Sequence, residues 1–134
     1  METLLYIVNN ASNLLAMTWQ HTWMVLVAVG FAIIAGVPLG IIIVRVKWLA
    51  PIVLGLATVV LTIPTIALFG LMIPLFSLIG QGIGAVPAIT AVFLYSLLPV
   101  VRNTHTALEN LPDGLREAGR GIGMTFWQRL RWVE

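Results

Sequence analysis

The sequence predicts an all-α integral membrane protein. It reads as about three transmembrane helices, an N-terminal interfacial helix before them and a charged helical hairpin on the cytoplasmic side after them. Three observations predict it. Hydrophobic residues make up 60% of the chain and charged residues 9%, against roughly 25% charged in soluble domains. Between Thr3 and Val101 the only charges are Arg45 and Lys47, which leaves apolar runs long enough to cross a bilayer. From Arg102 onward charges crowd in between glycines.

A single water-soluble core of 134 residues cannot absorb that apolar content, so the lipid bilayer is the first expected partner. The net charge of +2 arises only from segments flanking the apolar runs, which argues against nucleic-acid binding. With no cysteine there is neither a disulfide framework nor a thiolate metal site. Glu2 stands where a cleavable signal needs basic residues, so a signal peptide is not expected.

Residues 1–20 are expected to form the interfacial helix. Asn9, Asn10, Ser12 and Asn13 interrupt the run, so it does not read as a span. Leu4, Ile7, Val8, Ala11, Leu14 and Leu15 share one face of a helical wheel, with Asn9, Asn10 and Asn13 roughly opposite. That is the pattern of a helix lying in the membrane surface; a disordered apolar leader is the alternative. Trp19 and Trp23 then fall at headgroup depth.

The first span is read as Thr22 to Val44, stopped by Arg45 and Lys47. At about 1.5 Å per residue it crosses a hydrocarbon core of about 30 Å. Ala28, Ala32, Gly36 and Gly40 recur every four residues and line one face, with Pro38 among them. Small residues permit close backbone approach where lipid supplies no hydrophobic drive. Packing within the chain and a dimer seam are both open readings.

The second span is read as Trp48 to Ile73. Thr62, Pro64 and Thr65 fall in mid-membrane, where a proline frees a backbone carbonyl for a hydroxyl or water. They mark a candidate translocation path; threonines bonding back to their own helix are the plainer reading. Pro74, Gly80, Gly82 and Gly84 mark a connection, and a short third span runs from Val86 to Val101.

Every Lys and Arg lies at Arg45/Lys47 or from Arg102 onward, and none in the Phe76–Ala85 connection. The positive-inside rule puts both basic regions in the cytoplasm and, with three spans, the N-terminus outside. The spans hold no ionisable residue, hence no proton relay. His21 and His105 read as surface residues without a metal-ligand partner, and no catalytic set is present.

Residues 102–134 form the hairpin. Helix can continue to Glu109 before Pro112-Asp113-Gly114 interrupts it, with Asp113 the expected N-cap of the next helix. Gly123 reads as a left-handed residue ending that helix, and Thr125 as the cap of a second, with Phe126, Leu130 and Val133 on one side. Gly119, Gly121 and Gly123 are not a phosphate loop: they follow a helix and lack the Lys-Ser/Thr.

Glu117-Ala118-Gly119, three residues, Gly123, nine residues, then Val133 resembles the EAA motif of binding-protein-dependent ABC importer permeases. Gly119 stands for that motif's second alanine and Val133 for its isoleucine. The segments Thr62–Leu75 and Leu98–Thr104 are similar to the osmoprotectant branch, which serves glycine betaine, choline and carnitine. The resemblance implies a permease subunit in the cytoplasmic membrane of a bacterium, paired with a second permease subunit. A cytoplasmic ABC ATPase that binds the ATP and an extracytoplasmic substrate-binding protein complete the set, and the chain needs no cofactor of its own. It also implies a cytoplasmic coupling-helix hairpin in which Glu117, Ala118, Gly119 and Gly123 meet the ATPase, with Arg116 and Arg120 adding peripheral charge. Because that motif continues with Leu-Pro, the chain is expected to be C-terminally incomplete and unable to transport alone. The competing reading is a small membrane scaffold whose hairpin binds another partner.

Overall fold

The computed structural model describes residues 2–133, with side chains from Leu5 onward. Met1, Glu134 and the Leu4 side chain, assigned above to helix ends and an apolar face, lie outside the described set. Among the described residues seven helices follow in order: α1 (Glu2–Asn9), α2 (Ala11–Arg45), α3 (Leu49–Thr62), α4 (Thr65–Ser77), α5 (Ala85–Glu109), α6 (Asp113–Gly121) and α7 (Phe126–Trp132). The described residues contain no strand. α2 and α5 are each long and apolar enough to cross a membrane, and α3 with α4 form a bent pair that is either a third, broken span or a re-entrant loop.

The N-terminal boundary differs from the expected one. The chain kinks at Asn10 (φ −113°) rather than near Trp19, and residues 11–20 belong to α2. The break falls at Asn10 itself, and within α2 Thr18 and Thr22 are satisfied by their own helix. Asn10 donates from its side-chain amide to Tyr6 O (3.0 Å), and Thr18 and Thr22 donate back to Leu14 O and Thr18 O (2.7 Å each). α2 thus runs 35 residues, about 52 Å at 1.5 Å per residue.

α5 is the centre of the fold, with α2 along one side and α3 and α4 along the other. Ala28, Ala32, Gly36 and Gly40 are all buried, and they face α5 of the same chain. A methyl group at Gly36 would lie 2.8 Å from Val100 Cγ1, and one at Gly40 would lie 2.6 Å from Thr104 Cβ. The small-residue stripe is therefore an internal seam, and backbone proximity supplies the dispersion contacts that lipid cannot. On the other side Leu68, Met72 and Ala91 form a core with Ile63, Phe76, Leu94 and Tyr95 against it.

The second span is not straight: α3 and α4 meet at 97°. Pro64 disfavours helix at the residue before it, and here Ile63 is extended (φ −75°, ψ 123°). The carbonyls released at the break are taken up locally. Thr62 Oγ1 donates to Val59 O (2.7 Å), and the Tyr95 hydroxyl of α5 donates to Ile63 O. α4 then runs through Pro74, beyond the expected end at Ile73, and stops at a left-handed Gly80 (φ 73°). α5 carries the third apolar run and continues helical past Arg102 to Glu109, as the sequence allows.

A crossing by α5 puts the Gly80–Gly84 connection and the Arg102 end of α5 on opposite sides, and a third crossing by the bent pair would put that connection outside. Because the chain lacks cysteine, single cysteines at Gln81 and Asn103 are clean reporters. An impermeant thiol reagent is expected to label Gln81→Cys from outside and Asn103→Cys only after permeabilisation. Labelling of Asn103→Cys from outside and of Gln81→Cys only after permeabilisation would make the bent pair re-entrant.

Candidate functional site

The charged hairpin is built from two locally encoded devices. α6 ends in a six-to-one turn: Met124 N–H donates to Gly119 O (3.0 Å) and Gly123 N–H to Arg120 O (2.9 Å). This closure needs a left-handed residue, and Gly123 supplies it at φ 77°. α7 starts on a capping box. Thr125 N–H donates to Gln128 Oε1 (2.8 Å) while Gln128 N–H donates to Thr125 Oγ1 (3.4 Å). The N-cap of α6 is Pro112 rather than Asp113, which occupies the first helical turn and faces the positive helix end.

The structure divides the motif residues between two surfaces. Glu117, Ala118, Arg120, Gly121 and Gly123 are exposed, as is Ile122 at 73%. Gly119 is buried inside the hairpin: a methyl group there would sit 3.3 Å from Arg129 Cδ and 3.5 Å from Val133 Cγ2. Its small size serves the α6–α7 contact. Arg116 also turns inward, donating to Leu108 O at the carbonyl end of α5, where a cation complements the helix dipole. The outward face is thus Glu117, Ala118, Arg120, Gly121 and Ile122. A carboxylate flanked by small residues lets a partner's backbone come close and accepts a charge-assisted hydrogen bond.

The other candidate, Thr62, Pro64 and Thr65, is only partly assembled. An open, largely apolar groove of about 760 Å³ lies between α2, α4 and α5, bordered by His21, Thr65, Phe69, Tyr95 and Ser96 among others. Thr65 borders it; Thr62 and Pro64 do not. Thr62 and Thr58 bond back to their own helix, to Val59 O and Leu54 O, the plainer of the two readings. His21 borders this groove. His105 is largely covered, its Nδ1 3.4 Å from Glu109 Oε2 one turn on. No group of three or more metal-ligating side chains occurs among the described residues.

Three participants are not visible in the motif: Tyr95, which holds the α3–α4 break; Arg102, which donates to Thr58 Oγ1 (3.2 Å); and Arg45, whose guanidinium lies 4.9 Å from the Phe126 ring centroid. Tyr95 had a signal, since a phenol in mid-membrane needs a polar partner. The pairing of Arg45 with Phe126 had none.

Comparison with known proteins agrees with this geometry. Residues 28–133 match the family described as binding-protein-dependent transport system inner membrane component. The chain is 74% identical, over its whole length, to the osmoprotectant import permease protein OsmW of Salmonella typhimurium, of which it covers 62%. It is 41% identical to the glycine betaine/carnitine/choline transport system permease protein OpuCB of Bacillus subtilis, with 99% of this chain and 59% of that protein aligned. The chain therefore spans less than two thirds of the length of either relative. Among solved structures, a chain of the MetNI methionine ABC transporter, from inward-facing conformations, superposes with TM-score 0.70 at 28% identity. That match covers 86% of this chain and 57% of the other.

Proposed function

Because the chain belongs to the family of binding-protein-dependent transport system inner membrane components, we propose that it acts as the permease of an ATP-driven importer. Its cargo on this reading is a small osmoprotectant such as glycine betaine, choline or carnitine. The relatives' names support that substrate class, and the likeness to a methionine ABC transporter chain supports the transport mode. The observation that carries the proposal is the hairpin. A short helix ending at left-handed Gly123 turns Glu117, Ala118 and Ile122 outward beside the basic end of the spans.

In this reading the hairpin is cytoplasmic, the N-terminus is outside, and the membrane is the bacterial inner membrane. A cytoplasmic ABC ATPase binds ATP and docks on the Glu117–Gly123 face. A second permease subunit completes the path through the bilayer, and an extracytoplasmic substrate-binding protein delivers the solute. The permease contributes no catalytic group and no cofactor. Its work is to change conformation when the ATPase moves the hairpin.

Expressed with these partners, the permease is expected to raise uptake of radiolabelled glycine betaine under hyperosmotic conditions, in an ATP-dependent manner. Uptake of only an amino acid would overturn the substrate class and leave the permease standing. No ATP-dependent uptake of any solute would overturn the importer.

A further inference from the structure

The hairpin's connection to the spans is sparse. No helix backbone of α6 or α7 packs against a span among the described residues, so the connection runs through side chains and the short Asn110–Pro112 link. Two side-chain tethers stand out, and they reach different helices. Arg116 ties α6 to α5 through Leu108 O. Arg45, the last residue of α2, ties α2 to α7 through the face of Phe126, the first residue of α7.

The two tethers are not equivalent. α6 is joined to α5 by only three residues of chain, so it follows α5 with or without Arg116. α7 has no such covalent route to α2, from which it is separated by α3, α4, α5 and α6 in sequence. Between α6 and the end of α2 lie cavities of about 190 and 360 Å³, bordered by Val44, Arg45, Lys47, Asp113, Arg116 and Arg120. The Arg45 guanidinium, at 4.9 Å from the ring centroid of Phe126 on α7, makes a direct contact of the cation–π type.

We propose that Arg45 and Phe126 are positioning residues that couple hairpin movement to α2, so that energy released at the ATPase reaches the membrane helices. This rests on the importer reading above. Arg45 does not touch ATPase or solute in this role; it acts through the Phe126 ring. The internal seam of Ala28, Ala32, Gly36 and Gly40 then hands the movement on to α5, which it joins at backbone range. A guanidinium suits the task because it is planar and stacks flat on a ring.

The test uses the permease in its assembled transporter, in proteoliposomes with ATPase and receptor. Three quantities are read: ATPase retained per permease, ATP hydrolysed, and glycine betaine accumulated per ATP. Arg45→Gln and Phe126→Leu are each expected to lower solute per ATP by about two- to five-fold with ATPase retention unchanged. The double variant should be less severe than the product of the two single effects, because the shared contact can be lost only once. Arg45→Lys and Phe126→Tyr should recover most of the loss. A purely structural role would lower retention and hydrolysis together and leave the ratio alone, which overturns the proposal. So would multiplying effects in the double variant. Wild-type transporter that accumulates no solute with ATP would overturn the importer reading itself, and the variants are not needed to see it.

Discussion

Gly40→Ala is expected to destabilise the protein more than any other single methyl group added along the α2 seam. The new carbon would lie 2.6 Å from Thr104 Cβ and 3.1 Å from the Val101 carbonyl oxygen. Neither can swing aside: one is fixed to the α5 backbone and the other is part of it. Overpacking of this kind costs about 1–3 kcal/mol, and here the helices must separate along the seam to relieve it. Gly36→Ala should cost less, since its closest neighbour is the Val100 Cγ1 methyl at 2.8 Å, which rotation of the valine can partly withdraw. Gly30→Ala is the control, with nothing within 4 Å of the added carbon, and should stay within about 0.5 kcal/mol of wild type. Unfolding in mixed micelles, followed by tryptophan fluorescence, measures all three. Equal stability of the Gly40 and Gly30 variants would show that the seam is not packed at backbone range.

Gly123→Val is expected to reduce ATP-driven uptake by about ten-fold without affecting membrane insertion. A non-glycine residue in the left-handed region costs about 1–2 kcal/mol, and a β-branched one tolerates it worst. Nothing lies within 4 Å of the position, so the effect acts on the turn alone. The bonds from Gly123 N–H and Met124 N–H would loosen, and α7 would lose its angle to α6. Gly123→Asn should fall between wild type and Val, because asparagine enters that region more readily. Glu117→Lys should match the Val variant by another route, reversing a charge on the exposed face while leaving the turn intact. Uptake and ATPase retention in vesicles decide it: unchanged transport in both variants would reduce the hairpin to a solvated loop.

Features encoded by neighbouring residues were legible in the sequence. Gly123 and Thr125 announce the turn and the cap, and the four-residue recurrence from Ala28 to Gly40 marks a packing face, though not which helix packs on it. Each follows from backbone rules acting over one or two turns. What escaped depends on distant partners. Thr62-Ile63-Pro64 indicates where a helix is weakened, but the 97° bend is held by Tyr95, 32 residues on from Ile63. Arg116 sits in a motif where it reads as outward charge, yet the end of α5 claims it. Gly119 reads as room for a partner, yet Arg129 and Val133 of the same chain fill that room. The N-terminal boundary is misplaced for a different reason: the chain breaks at Asn10, inside the asparagine cluster, and beyond it Thr18 and Thr22 bond along their own helix, so α2 runs on from Ala11.

The length of α2 has a mechanical consequence. Its 35 residues form one helix, and about 52 Å of rod stands in a hydrocarbon layer of about 30 Å. A rod gripped near its middle is a lever. A tilt of about 10° about its midpoint carries each end sideways by about 4–5 Å, given the same rise per residue. One end carries Arg45 and the other rises past Trp19 and Trp23. A displacement imposed at one surface of the bilayer is thereby returned at the opposite surface, reversed in direction, with no relay of separate parts between them.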